Sequence, residues 1–105
     1  MKLLTIDYVP GKEIEALSVV KGGIVQSKHI GRDFMAGMKT IVGGEIKGYS
    51  EMIDEARKIA TKRMVDEAVA LGADAIICVR YASSAVMQGA SEVMVYGTAV
   101  KYIEK

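Results

Sequence analysis

The sequence predicts an α+β domain ordered β-β-α-α-β-β, an antiparallel sheet carrying a long helix on one face. Two observations carry that expectation. Gly43-Gly44-Glu45 is followed by an amphipathic stretch from Tyr49 to Leu71, then Gly72 and the apolar run Ala75–Tyr81. That order reads as a turn, a helix of about six turns, a stop and a buried strand. Strand-like segments also cluster at both ends of a helical middle, the pattern of helices segregated to one face of a sheet.

Taken in order, Leu3–Ile6 reads as a short strand. Pro10-Gly11 is a type II turn signal, because proline presets φ and glycine accepts a positive one. Glu13–Val20 alternates at Ile14, Ala16, Ser18 and Val20, so a strand is expected, broken or bulged at Gly22-Gly23 and resuming over Ile24–Gln26. Gly31–Val42 is expected to form the first helix, with Phe34, Met35, Met38, Ile41 and Val42 at three- and four-residue spacing.

The second helix has the apolar stripe Tyr49, Met52, Ile53, Ala56, Ile59, Ala60, Met64, Ala68 and Leu71. Its polar face is Glu51, Asp54, Glu55, Lys58, Lys62 and Asp66. Gly48 or Ser50 is the expected N-cap, with acidic residues in the first turns. Ala82–Ser91, small and polar, reads as a mobile loop that could act as an apolar contact around Val86 and Met87. Glu92–Ile103 closes the sheet, with Val93, Val95, Gly97, Ala99, Lys101 and Ile103 on one face and Met94, Tyr96, Thr98, Val100 and Tyr102 on the other. Both faces look buriable, so a charge at Val95 or Val100 is expected to break an assembly.

The chain has 105 residues, half of them hydrophobic, and a net charge of +1. This is one domain's length, and its apolar content is high for a small subunit. Either the core is unusually dense or apolar surface is buried between identical subunits, and the second is the expectation. Balanced charge and few aromatics leave neither the positive field nor the stacking platform that nucleic acid requires. No apolar run is long enough to span a bilayer, which needs about 18 residues or more. The single cysteine, Cys78, fits a reducing cytoplasm.

The chemistry-bearing residues are sparse. Cys78 lies mid-strand between Ile77 and Val79 and reads as a small buried hydrophobe, with a thiolate ligand as the alternative. His29, ahead of the first helix, reads as a surface or capping residue or a metal ligand. Glu45 offers a carboxylate at a glycine bend, for a ligand or for an ion pair with Arg57 or Arg63. Arg32 is a further ligand-binding candidate, and Arg63 interrupts the apolar stripe. One cysteine and one histidine cannot build a four-ligand soft-metal site within one subunit, although a site repeated about a ring axis could share them. No nucleophile–base arrangement and no phosphate loop is readable, so the expectation is a protein that is not an enzyme.

Gly22-Gly23-Ile24-Val25, Gly43-Gly44-Glu45, Tyr49-Ser50, Ala56-Arg57, Met64-Val65-Asp66-Glu67-Ala68 and Leu71-Gly72-Ala73-Asp74-Ala75-Ile76 together resemble the YbjQ-like family, which bears a heavy-metal-binding label. The resemblance spans essentially the whole chain. It implies a small α+β subunit assembling into a ring, a homopentamer, in the cytoplasm of a bacterium or archaeon. It suggests metal as a cofactor but assigns no ligand, so the candidates are those read from the residues themselves, His29, Glu45 and Cys78. The function expected is an oligomeric binding or scaffold protein holding a metal or small ligand at subunit interfaces. An enzyme with an intersubunit active site and a purely structural assembly partner are the alternatives.

Overall fold

The structure is a computed structural model describing residues 1–27, 41–42, 45–87 and 89–104, with the backbone alone over 41–42 and 45–47. The described elements are β1 (Lys2–Leu3), β2 (Glu13–Ser27), β3 (Ile41–Val42), β4 (Glu45–Ile46), α1 (Lys47–Ala70), β5 (Ala75–Met87) and β6 (Ala90–Ile103). Four of the strands form one sheet in the order β1-β5-β6-β2. The sheet is mixed rather than wholly antiparallel, because β1 runs parallel to β5 while β5, β6 and β2 pair antiparallel. The expected first helix lies mostly outside the described residues. Its last two positions, Ile41 and Val42, are strand instead and pair with Ile46 and Glu45.

The Pro10-Gly11 turn forms as expected. The Lys12 amide donates to the Val9 carbonyl at 3.1 Å, and Gly11 has a φ of +75°. Beyond it, β2 is one continuous strand of 15 residues, unbroken at Gly22-Gly23. Its irregularity falls earlier. Ala16 faces Val100 and Ser18 faces Ala99, so Leu17 has no opposite residue. This bulge ends the simple alternation read from the sequence. Ile14 packs with Val9 and Val100 on one face, whereas Val20 packs with the helix on the other.

Helix α1 begins at Lys47, so Gly48 and Ser50 lie in its first turn rather than capping it, and that turn holds no acidic residue. The stripe is as expected through Ala68, with Met52, Ala56, Ala60, Met64 and Ala68 buried. Leu71 lies past the helix end and is exposed. Gly72, with φ +76°, closes the helix. Its amide donates to the Val69 carbonyl at 3.0 Å and that of Ala73 to Ala68 at 3.1 Å, the paired bonds of a Schellman stop.

The helix rests on β2 and β6. Its small residues let it approach so closely that a Cβ on Gly22 would collide with the Ala60 carbonyl oxygen and lie 2.6 Å from the Met64 nitrogen. Glycine is required at that position by close backbone approach, not by φ. The helix-side core joins Val20, Met64, Ile76, Val79, Val93, Val95 and Ala99. A smaller core on the opposite face joins Val9, Ala75, Ile77 and Val100, with Leu4, Ile14 and Tyr102 against it. Val95 and Val100 are thus both fully buried within the subunit. A charge at either reports on folding, not on assembly as the two-faced pattern suggested.

The segment from Ala82 to Ser91, expected as a loop, is strand over its described residues except at the Gly89 turn. It is the far half of a β5–β6 hairpin, whose ladder continues through Ser83↔Val93 and Ala85↔Ser91 to Met87↔Ala90. The Tyr49 hydroxyl shares a hydrogen bond with the Ser91 hydroxyl, tying the start of α1 to the start of β6.

Gly22→Ala is expected to destabilise the fold by about 3 kcal/mol, since neither backbone can give way cheaply. Gly23→Ala, whose added methyl would meet nothing closer than 3.6 Å, should stay within about 0.5 kcal/mol of the parent. Urea unfolding of the two variants side by side measures the difference.

Candidate functional site

Of the residues singled out in the sequence, His29 and Arg32 lie outside the described residues. Glu45 is in β4, where its backbone pairs with Val42. The partners proposed for its carboxylate are engaged elsewhere. Arg57 pairs with Asp54 at 2.9 Å, and Arg63 donates from Nη1 to the Gly23 carbonyl at 2.8 Å. The described side chains therefore do not gather the candidates into one centre.

Cys78 has a local role that the sequence did not disclose. Ile77 faces Thr98 and Arg80 faces Tyr96, so Cys78 and Val79 together oppose Gly97. Cys78 has φ +56° and is the only described non-glycine residue with positive φ. It occupies the place that glycine takes in a G1 bulge. The bulge turns two successive amides toward the N-terminal segment, Cys78 donating to the Ile6 carbonyl at 3.0 Å and Val79 to Leu4 at 2.9 Å. Opposite it, a Cβ on Gly97 would come within 2.7 Å of an Ile76 methyl and 2.9 Å of the Ile77 carbonyl oxygen. The thiol is half-buried rather than fully buried, packed against Val9, Ala75, Ile77 and Val100.

Several open clefts among the described residues carry polar groups, three of them away from the start of α1. One, of about 770 Å³, lies between the Pro10-Gly11 turn and the end of β6, with Lys12, Glu13, Tyr102 and Glu104 on its walls. There the Lys12 ammonium stands 5.3 Å above the Tyr102 ring, in cation–π range. A second, of about 350 Å³, lies along the β2 edge beside α1. Two helix side chains close on strand backbone there, Arg63 on Gly23 and the Glu67 carboxylate, which accepts the Lys21 amide at 3.3 Å. A third, of about 110 Å³, separates α1 from β5 and is lined by Arg57, Tyr81, Ala82, Ser83 and Val93. The Tyr81 and Thr61 hydroxyls meet beside it at 2.9 Å. Sequence reading missed these groupings because each joins residues far apart in the chain that share no spacing signal.

No three His, Cys, Asp or Glu side chains converge among the described residues. Soft metals ask for several thiolate or imidazole donors, and the Cys78 sulfur has apolar neighbours. The described part of a single subunit does not fit a heavy-metal centre. No helix among the described residues is long and apolar enough to cross a membrane.

Comparison with known proteins adds the family context. A family model described as "Putative heavy-metal-binding" matches residues 1–103. A UPF0145 protein from Clostridium novyi is 63% identical over 103 residues, covering 98% of this chain and 100% of the relative. Another from Alkaliphilus metalliredigens is 62% identical over the same length, with the same coverage. A crystal structure of a protein of unknown function from Pediococcus pentosaceus superposes with a TM-score of 0.67 at 18% identity, covering 98% of each chain. That likeness concerns the fold.

The bulge predicts an inverted propensity at position 78. Cys78→Val, a better strand former elsewhere, should lower stability by about 1–2 kcal/mol, because a β-branched side chain fits positive φ poorly. Cys78→Gly should remain within about 1 kcal/mol of the parent, relief of strain offsetting lost contacts. Thermal denaturation of both variants under reducing conditions checks the order.

Proposed function

The chain belongs to the YbjQ-like, UPF0145 family, and from that membership we propose a non-catalytic binding or scaffold protein that self-assembles into a pentameric ring and holds a metal ion or small ligand between subunits. The observation that supports self-assembly is the open face of the sheet. The N-terminal segment covers that face only around Val9 and Val100. Beyond that cover, Val19, Val25, Met94 and Tyr96 on β2 and β6 are 68%, 57%, 36% and 43% exposed. An apolar stripe across adjacent strands of an antiparallel sheet is what a partner surface buries.

The ring also bears on the ligand. Rotational symmetry repeats each surface around the axis, so one donor per subunit can furnish a multidentate site. Glu45, His29 and Arg32 are the residues proposed for such a ring of polar groups. Cys78 is less suited, since its bulge role and apolar neighbours account for it.

Native mass spectrometry of untagged protein, purified without chelator, tests the reading. The expected result is a closed-ring mass, carrying an excess if metal or ligand is retained. Tyr96→Lys should reduce the subunit number while leaving the far-ultraviolet circular dichroism unchanged. A wild-type monomer at micromolar concentration would refute the proposal.

A further inference from the structure

We propose that Leu4 to Lys12 form a strap that opens and closes over one face of the sheet while β2, β5, β6 and α1 stay folded, giving the apolar face of the sheet a short form and a long one. The device lies within one subunit and does not depend on the ring.

The strap is fixed at both ends. Ahead of it, β1 pairs with Ala75 and Ile76, and Leu3 packs into the helix-side core. Behind it, β2 is laddered to β6 from Glu13 onward. The hinge falls between Leu3 and Leu4, which face opposite cores. Between the anchors the segment is held at few points. The Val79 amide donates to the Leu4 carbonyl at 2.9 Å and the Cys78 amide to that of Ile6 at 3.0 Å. Arg80 Nη1 donates to the Thr5 carbonyl at 2.9 Å, and the Lys12 ammonium stands over the Tyr102 ring. Of these residues only Val9 is buried and Leu4 half-buried, and the rest are exposed.

The strap covers a socket. Val9 is seated on Ala75, Ile77 and Val100, with Cys78 and Tyr102 at the margin. β6 marks where the cover stops, because on that one face Met94 and Tyr96 are exposed, Thr98 is half-buried and Val100 is fully buried. Withdrawal of Val9 joins Val100 and Ile77 to the exposed stripe. The sheet need not follow, since the backbone bonds from the strap run to the outer edge of β5, whose inner edge keeps its ladder to β6. The cleft of about 770 Å³, bounded by Tyr8, Val9 and Lys12 on one side and Tyr102 and Glu104 on the other, gives the strap space to move into.

Opposing terms hold the two forms close in free energy. Closing buries Val9 and makes the bonds to β5. It also holds Cys78 at φ +56°, a conformation costly to any residue with a Cβ, and release of the Cys78 amide frees that residue to relax. The two anchors keep the open strap near its socket, which limits the entropy cost of reclosing. Segments with few buried side chains and exposed backbone bonds are the ones that open below the global unfolding free energy. Anchoring on both sides separates this strap from a fraying terminus, because β1 stays paired when it opens.

Native-state hydrogen exchange in low urea tests the device. The Cys78 and Val79 amides should exchange together, about 100-fold faster than those of Met64 and Val95. Their urea dependence should be much shallower, since opening exposes a small part of the surface that global unfolding exposes. Val9→Ala should speed both amides about tenfold. Val93→Ala, on the helix side, should speed the Met64 and Val95 amides by a similar factor and leave Cys78 and Val79 unchanged. A urea slope at Cys78 and Val79 equal to that of the core would overturn the strap, as would their equal acceleration by Val93→Ala. Unequal responses of the two amides to Val9→Ala would overturn it too, showing separate fluctuations rather than one moving segment.

Discussion

The close approach of α1 to β2 at Gly22 is the constraint on which the rest of the subunit depends. Without a side chain at that position, the Ala60–Met64 turn of the helix lies directly on strand backbone. The alanines at 56, 60 and 68 keep the interface thin, and Met64 fills the remaining space. Closeness here sets the helix over β2 and β6 and brings its Thr61 hydroxyl to that of Tyr81 on β5. It also brings Arg63 and Glu67 within hydrogen-bonding distance of the β2 edge. One packing contact therefore brings the helix side chains to the β2 edge of the sheet.

The two cores divide the sheet unevenly. The helix covers one face along most of its length, whereas residues 4–9 cover the other only near the end where β1 lies. Buried area in so small a domain is limited, and here part of the apolar inventory remains on the open face. Metal chemistry has little footing within the described part of one subunit, since its lone thiol sits half-buried among apolar side chains and no cluster of possible ligands forms there. The feature that invites a partner is geometric, an open face, rather than a cluster of reactive groups.

Much of this fold was legible in the sequence, for identifiable reasons. Helix α1, its glycine stop and the Pro10-Gly11 turn are local decisions, and local signals revealed them. The alternation of β6 was also correct, but its second face is covered at the Val100 end from within the subunit, while Met94 and Tyr96 on the same face remain exposed. Val100 is covered by Val9 from the same chain, a contact between distant residues that no periodicity reports. Ala82–Ser91 looked like a loop because small polar residues carry weak strand propensity, yet ladder pairing to β6 overrides that preference. Gly22 was read as a break in the strand when its purpose is helix packing. Of the candidate site, Cys78 was noticed for its chemistry while its backbone geometry stayed hidden, since nothing in a residue's identity announces positive φ outside glycine.

The spare residues at Leu17 in β2 and at Cys78 and Val86 in β5 make these two long strands behave as if fitted with expansion joints. At each, the strand carries one residue more than its partner counts, and the surplus is absorbed at a fixed place. Losing a residue at such a joint leaves every other side chain on its own face, at the cost of that residue's contacts. Losing one elsewhere in the strand shifts the phase of all the residues downstream, sending core side chains to water until the joint itself migrates. Length variation in this chain is therefore tolerated according to phase rather than exposure, and three inconspicuous positions in the described strands are places where the sheet can lengthen or shorten without turning over.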